Sequence, residues 1–204
     1  MSKRKQTPDF IDKNAEDLRY LAACGIHEQR PDLGRVLKMD LEGVFRLSCF
    51  HQITGLCYYA LGSAEAELKE ALAEKKDMEA IALLKEWQQK KDQAIRKNLL
   101  LDIERERLFA FCEEKGIWYM PLKGIVMKEL YPKPGMRQMA DNDILFDPAG
   151  RKLVHDWFCH EGYKAESYDV SNHDVYMKEP LYNFEMHVSL VSSLHKLRWV
   201  AYYK

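Results

Sequence analysis

The distribution of apolar residues along the chain changes at Gly116. Before this residue, apolar side chains recur three or four positions apart, which is the spacing of amphipathic helices. After it, short aromatic and aliphatic runs alternate with segments that contain Gly, Pro or Asn, a texture typical of strands and turns. We therefore expect an α+β fold, with an N-terminal helical region over residues 1–115 and a β-sheet with flanking helices over residues 116–204.

Glycines and capping residues predict where several of these elements begin and end. We expect the first helix to end at Gly25, and a single buried helix to run from an Asp40 N-cap to Gly62. The segment 63–115 lacks Gly and Pro and predicts one or two long amphipathic helices. Beyond it the predicted order is β-α-β-α-β-β-β, and helical texture returns over residues 192–204. Because the chain stops without a polar tail, we expect a C-terminally truncated domain.

Composition and charge narrow the class of protein. The 204 residues are 47% hydrophobic and 31% charged, which is enough apolar material for a core, and the net charge of -1 gives no overall attraction to nucleic acid or anionic membranes. The longest uncharged run, residues 48–64, is too short to cross a bilayer. The basic N-terminus is not followed by the apolar run of a secretory signal, and the five cysteines form no CxxC pair. Free thiols and a cytoplasmic location are expected.

The segment MADNDILF places Asp141 and Asp143 at the start of an apolar strand. Residues two apart in a strand project from the same face, so the two carboxylates are expected to lie side by side and to repel each other. A divalent cation would remove this conflict, because carboxylate oxygens are the ligands that Mg²⁺ prefers. The same pair also fits a strand-end cap and a surface residue that pair with arginine, so the spacing alone leaves both interpretations open.

Three further segments favour the metal interpretation. In PLKGIVMKEL, a strand leads through Lys123 and Gly124 into a helix, an arrangement that suits phosphate oxygens and that also fits a tight turn with an exposed lysine. Arg137 lies four residues before Asp141, where a guanidinium could bind a triphosphate or pair with an aspartate. In NFEMHVSL, Glu185 and His187 share one strand face. Glu185 is a candidate third carboxylate or an exposed strand residue, and His187 could contact a phosphate, orient Glu185 or do neither.

Together these segments resemble a known family. The run MPLKGIVMKELYPKPGMRQMADNDILF resembles the signature of the uncharacterised nucleotidyltransferase family, whose members are similar to the DNA polymerase β nucleotidyltransferase superfamily. The helical segments FHQITGLCYYAL and LLLDIERERLFAFCEEKGI and the strand FEMHVSL also look like parts of that family. The resemblance covers most of residues 40–190. It implies that the β-sheet is a nucleotidyltransferase-like mixed sheet with flanking helices.

The resemblance also implies roles for individual residues. Asp141, Asp143 and Glu185 stand at the catalytic, metal-binding carboxylates, with Mg²⁺ or Mn²⁺ as the cofactor. The nucleoside triphosphate substrate is expected to be bound by a set of four residues: Lys123, Gly124, Arg137 and His187. One position departs from the superfamily, because Ile125 follows Gly124 where a second small residue usually contacts the phosphates.

The expected activity is transfer of a nucleoside monophosphate from a nucleoside triphosphate to a hydroxyl acceptor. The acceptor could be a small molecule, a protein or an RNA, and no membrane partner is expected. Two alternatives stay open. Ile125 is the feature that favours a catalytically weakened nucleotide-binding or regulatory module of the same fold. The basic helical stretch near Lys90 to Lys97 suits an RNA-directed, toxin-type transferase, although this stretch is most simply a solvated helix face.

Overall fold

The computed structural model describes residues 13–190 and confirms the α+β fold, with helices first and a five-stranded mixed sheet after them. The described chain forms two compact units. One holds the residues through Ile95 together with Tyr131–Gln138, and the other holds Arg96–Leu130 together with the residues from Met139. The basic N-terminal segment and the helix predicted over residues 192–204 lie outside the described residues.

The order of helices and strands agrees with the predicted order. A short 3₁₀ turn, Pro148–Gly150, precedes the last helix. The helices are α1 (Lys13–Ile26), α2 (Leu33–Val36), α3 (Leu41–Phe50), α4 (Thr54–Gly62), α5 (Glu65–Glu74), α6 (Met78–Lys115), α7 (Gly124–Lys128) and α8 (Arg151–His160). The strands are β1 (Tyr119–Pro121), β2 (Asn142–Phe146), β3 (Lys164–Ser167), β4 (His173–Lys178) and β5 (Tyr182–His187).

The single helix predicted between Asp40 and Gly62 is wrong, because the chain breaks between α3 and α4. Asp40 does cap α3 by accepting a hydrogen bond from the Gly43 amide, 3.0 Å away. At the break, Gln52 adopts a left-handed conformation with φ 56°, and the next amide, that of Ile53, donates back to the Ser48 carbonyl over 2.9 Å. This is the hydrogen-bond pattern of a Schellman C-cap, here built without the glycine that usually signals it.

Gly25 is a second correction. It was expected to cap α1, but it lies inside the helix, which continues to Ile26. A side chain at this position would meet the backbone of α4, since an added Cβ would lie 2.2 Å from the Leu56 carbonyl oxygen. Glycine is therefore needed here for close packing of two helices and not for a left-handed turn.

The sheet has the strand order β1-β2-β5-β4-β3, in which β2 and β5 run parallel and the other neighbours run antiparallel. One face is buried under the second half of α6 and under α8. The ring of Phe158 from α8 stacks on Tyr176 of β4 with centroids 4.1 Å apart. The fully buried strand residues on this face include Ile144, Phe146, Phe184 and Met186.

The opposite face of the sheet carries polar side chains at half-buried positions. Residues alternate between the two faces along β2 and β5, so each buried apolar residue is flanked by residues that point away from the core. All five cysteines are free thiols. Among residues 13–190, no helix has both the length and the apolar character that crossing a membrane requires.

Candidate metal and nucleotide site

Two parallel strands bring the predicted acidic residues to one face of the sheet. Asp143 of β2 is the register partner of Glu185 of β5. Both side chains are partly exposed, whereas Asn142 and Met186 beside them are fully buried on the opposite face. Asp141 comes immediately before β2 and is half-buried. The pairing of β2 with β5 therefore juxtaposes carboxylates that are far apart in the sequence.

His187 joins this group. Its Nε2 atom lies 3.0 Å from Oδ1 of Asp143 and 3.8 Å from Oε2 of Glu185. One ligand atom from each of the three residues lies within 4.8 Å of the others, so the three can contact a single metal ion. Asp141 is not a member of this cluster.

The charge of Asp141 is governed by its surroundings. Burial raises the pKa of this carboxyl above its usual value, and the negative charge of Asp143 raises it further. The positive charges of Lys97 and Lys123 act in the opposite direction and lower the pKa. The repulsion between the two aspartates that the sequence suggested is thus present, and two lysines oppose it in part.

Lys123 and Gly124 form the turn that leads from β1 into α7. Lys123 is exposed and adopts a left-handed backbone conformation, with φ 34°. The amide of the preceding residue, Leu122, donates to the backbone carbonyl of Asp143 over 2.9 Å, which ties this turn to the strand that carries the aspartates. The turn therefore borders the acidic residues, and its lysine carries a positive charge near them.

Ile125 has a structural explanation. Its side chain is buried in the core beneath the sheet, with 6% of its surface exposed. Its amide donates to the Leu122 carbonyl over 3.2 Å, within the turn. The residue that departs from the superfamily pattern is therefore a packing residue of this core.

Asn142 has a role that the sequence reasoning missed. Its side chain is completely buried, and its amide group donates to the Leu101 carbonyl of α6 over 3.1 Å. Its Oδ1 also accepts a long, 3.5 Å hydrogen bond from Arg105. A polar residue between the two aspartates thus connects β2 to the helix beneath it, and the alternation of faces along a strand is the signal that could have indicated this.

The predicted phosphate ligands lie in different parts of the fold. Lys123 and Gly124 belong to the unit that contains the sheet, as do the acidic residues. Arg137 is half-buried and belongs to the other unit, so its contact with a triphosphate stays a prediction. In the sequence, Lys97 is only part of a basic helical stretch, because no local pattern connects it with Asp141.

An open groove of about 470 Å³ lies at the end of the sheet where β2 and β5 begin. Lys97, Ala140 and Asn183 are among its lining residues. Ala140 directly precedes Asp141 in the chain, and Asn183 lies two residues before Glu185 on β5. Oδ1 of Asn183 is buried and accepts no hydrogen bond from the described part of the chain. A groove of this size can hold a small molecule, and its buried amide oxygen lacks a donor.

Comparison with known proteins places this sequence in a family. The family described as uncharacterised nucleotidyltransferase has a sequence model that matches residues 38–201, which include every site residue discussed above. Neither a curated protein nor a solved structure matches the chain. The match spans most of the sequence and confirms the resemblance drawn from the motifs. The chain therefore belongs to the uncharacterised nucleotidyltransferase family.

Proposed function

We propose that this protein transfers a nucleoside monophosphate from a nucleoside triphosphate to a hydroxyl acceptor. The observation that carries the proposal is the register of β2 and β5, which sets Asp143 beside Glu185 on the open face of the sheet. Asp141 lies two residues from Asp143, and the Lys123–Gly124 turn is hydrogen-bonded to the same strand. Carboxylates next to a positively charged turn suit a metal-bound triphosphate.

The residues present fit a divalent cation. Asp143, Glu185 and His187 already place three donor atoms within 4.8 Å of one another. Asp141 adds a carboxylate whose pKa is raised by burial first and then by the negative charge of Asp143. A bound Mg²⁺ or Mn²⁺ ion neutralises charge on the phosphates and polarises the attacking hydroxyl. The residues that would hold such ions are Asp141, Asp143 and Glu185.

The other residues have separate tasks in this proposal. Lys123 binds triphosphate oxygens as a point charge, and Gly124 lets the backbone approach them closely. Glu185 orients the acceptor hydroxyl. The hydroxyl oxygen forms the new bond to the α-phosphorus, the bond to the leaving pyrophosphate breaks, and the hydroxyl proton is released.

The groove at the start of β5 is the proposed position of the acceptor. It adjoins Glu185 through Asn183 on the same strand, and Glu185 is the carboxylate assigned to the acceptor hydroxyl. Oδ1 of Asn183 is buried without a donor from the described part of the chain, so a rotation of this side chain would let it accept a hydrogen bond from a hydroxyl or amino group of that molecule.

The test is transfer of label from α-labelled nucleoside triphosphates, supplied one at a time with Mg²⁺ or Mn²⁺ and a cell extract as the source of acceptors. We expect a labelled product with the unmodified protein and none with Asp143→Asn. Asp156→Asn is the matched control, because Asp156 is an exposed carboxylate on α8 that pairs with Lys152. Absence of any product that depends on Asp143 would contradict the proposal.

The alternative of a nucleotide-binding module is separated by calorimetry. Titration of each nucleoside triphosphate in the presence of Mg²⁺ measures binding independently of turnover. Binding that is lost in Asp143→Asn, with no transfer to any acceptor, would assign the site to recognition and not to catalysis. Because Ile125 is explained by core packing, its presence no longer favours this alternative by itself.

A further inference from the structure

The strand β5 contributes a nitrogen as well as an oxygen to the acidic cluster. The side chains of Asp143 and His187 are 15% and 13% exposed, and that of Glu185 is 31% exposed. The cluster is thus sheltered without being closed to solvent. Nε2 of His187 and Oδ1 of Asp143 are in hydrogen-bond contact at 3.0 Å, and a cation bound by both atoms would replace this hydrogen bond.

The spacing of the donor atoms matches a coordination sphere. In an octahedral site with bonds of about 2.0 to 2.1 Å, the length for Mg²⁺, neighbouring ligand atoms lie about 2.9 Å apart, and a larger dication such as Mn²⁺ separates them slightly more. Oδ1 of Asp143 and Nε2 of His187 are already 3.0 Å apart. Nε2 and Oε2 of Glu185 are 3.8 Å apart, so Glu185 needs only a small side-chain adjustment to approach the same point.

The sheet holds the imidazole in this position. His187 is the last residue of β5 and is the register partner of Leu145 in β2 and of His173 in β4. The rings of His173 and His187 lie 5.1 Å apart between centroids, so the neighbouring strand supports one side of the imidazole. Ligands placed on paired strands are more precisely oriented than ligands on loops.

We propose that Nε2 of His187 is a metal ligand together with Asp143 and Glu185, and that the site therefore prefers a first-row transition-metal dication such as Mn²⁺ to Mg²⁺. Magnesium is bound almost entirely by oxygen, whereas imidazole nitrogen is a ligand of transition metals. A site with two oxygens and one nitrogen favours the transition metal through the nitrogen. This inference rests on the proposed function, because it specifies the ion that the proposed reaction uses.

The first test measures affinity. Mn²⁺ binding to the purified, metal-free protein is followed by electron paramagnetic resonance of the free ion, and Mg²⁺ binding by competition. His187→Asn should weaken Mn²⁺ binding by at least the roughly 10- to 100-fold that loss of an outer-shell partner causes, because a direct ligand is removed, and should change Mg²⁺ binding much less. His160→Asn is the matched control, an exposed imidazole on α8 outside the cluster, and should bind Mn²⁺ as the unmodified protein does.

The second test detects the bond between Mn²⁺ and a histidine nitrogen directly, in the unmodified protein. Pulsed electron paramagnetic resonance of the Mn²⁺ complex should show coupling to a directly bonded ¹⁴N nucleus, which changes when histidine is labelled with ¹⁵N. Coupling that is absent, or that persists unchanged in a folded His187→Asn protein, overturns the assignment. Equal loss of Mn²⁺ affinity in the His160 and His187 variants also overturns it.

These outcomes separate the inference from the proposed function. If Mn²⁺ binds through oxygen alone and label transfer still depends on Asp143, the role of His187 is wrong and the transferase proposal stands. If neither Mg²⁺ nor Mn²⁺ binds, both the ligand assignment and the metal-dependent reaction fall.

Discussion

The side-chain amide of Asn142 donates a hydrogen bond to the backbone carbonyl of Leu101, 3.1 Å away in the fully buried space between β2 and α6. Asn142→Ala removes this donor, and the Leu101 carbonyl loses its bond to the side chain. We expect a loss of about 1 to 3 kcal/mol in the free energy of unfolding, measured by urea denaturation. Gln93→Ala, an exposed substitution in the same helix, should change it by less than about 0.5 kcal/mol.

Ile125 is predicted to matter for stability more than for phosphate binding. Ile125→Ser makes this position resemble the superfamily pattern but removes a buried side chain, so we expect a loss of about 2 to 5 kcal/mol. Ile125→Val keeps most of the volume and should cost about 0.5 to 1.5 kcal/mol. Denaturant unfolding of the two variants measures the difference. Equal stability of Ser and Val at this position would contradict the core assignment.

Asp141→Asn should stabilise the metal-free protein at neutral pH while abolishing label transfer. Burial and Asp143 raise the pKa of Asp141 in the folded state, so the ionised carboxylate weakens folding. Below the usual carboxyl pKa of about 3.9, the group is neutral in the folded and unfolded states, and the two proteins should differ little. As pH rises through the raised folded-state pKa, the advantage of Asn should grow.

Thermal unfolding in the presence of a chelator measures this effect as a function of pH. The midpoint temperature of Asp141→Asn should exceed that of the unmodified protein at neutral pH, and the gap should close on acidification. A lower midpoint for the variant at neutral pH would show that Asp141 is stabilising and that its charge is not the source of strain.

Lys97 and Lys123 should set the acidic limit of activity. Each lysine lowers the pKa of Asp141, so Lys97→Ala or Lys123→Ala should raise that pKa further. In the proposed reaction Asp141 must be ionised to hold a cation, so the acid limb of the rate profile should move to higher pH. Lys→Arg substitutions at both positions keep the charge and should leave the limb in place. Label transfer measured across the pH range tests the shift, which a limb moving to lower pH would contradict.

Arg151 is predicted to be necessary for stability of the sheet. It forms two hydrogen bonds to the buried carboxylate of Asp174, of 2.9 Å from Nε and 2.6 Å from a terminal nitrogen. Arg151→Ala leaves that carboxylate buried without its partner, so we expect a loss of about 3 to 5 kcal/mol in denaturant unfolding. Asp174→Asn in the Arg151→Ala background removes the charge and should recover part of the loss. A double variant as unstable as Arg151→Ala would argue against an unpaired charge as the cause.

Hydrophobic periodicity predicted the order of the elements because burial repeats along each of them. Phe184 and Met186 are buried while Glu185 and His187 face away, as alternation in a strand requires. Periodicity failed at Gln52, a residue other than glycine that adopts a left-handed conformation and ends a helix. The helix ends there through a pattern of backbone hydrogen bonds, which the sequence does not signal. Gly25 misled for a related reason, since glycine serves turns and close helix contacts alike.

The candidate site was predictable only in part. The motif predicts Asp141, Asp143 and Glu185 as candidate ligands, and their role stays a prediction. The contact between Asp143 and His187 depends on the register of a parallel strand pair, which no local pattern specifies. Lys97 acts on Asp141 from a separate helix, so only the folded chain reveals it. A single sequence does not specify the register between strands that are far apart along the chain.

The parallel pair β2–β5 has a consequence for the order of events after synthesis. β5 occupies the sheet between β2 and β4, yet it is the last of these strands to leave the ribosome. The donors on β2 and β5 therefore meet only when β5 has inserted, and a chain without β5 holds only part of the site. A cation held by both strands would bind only chains in which β5 has paired with β2 and would shift the folding equilibrium toward them.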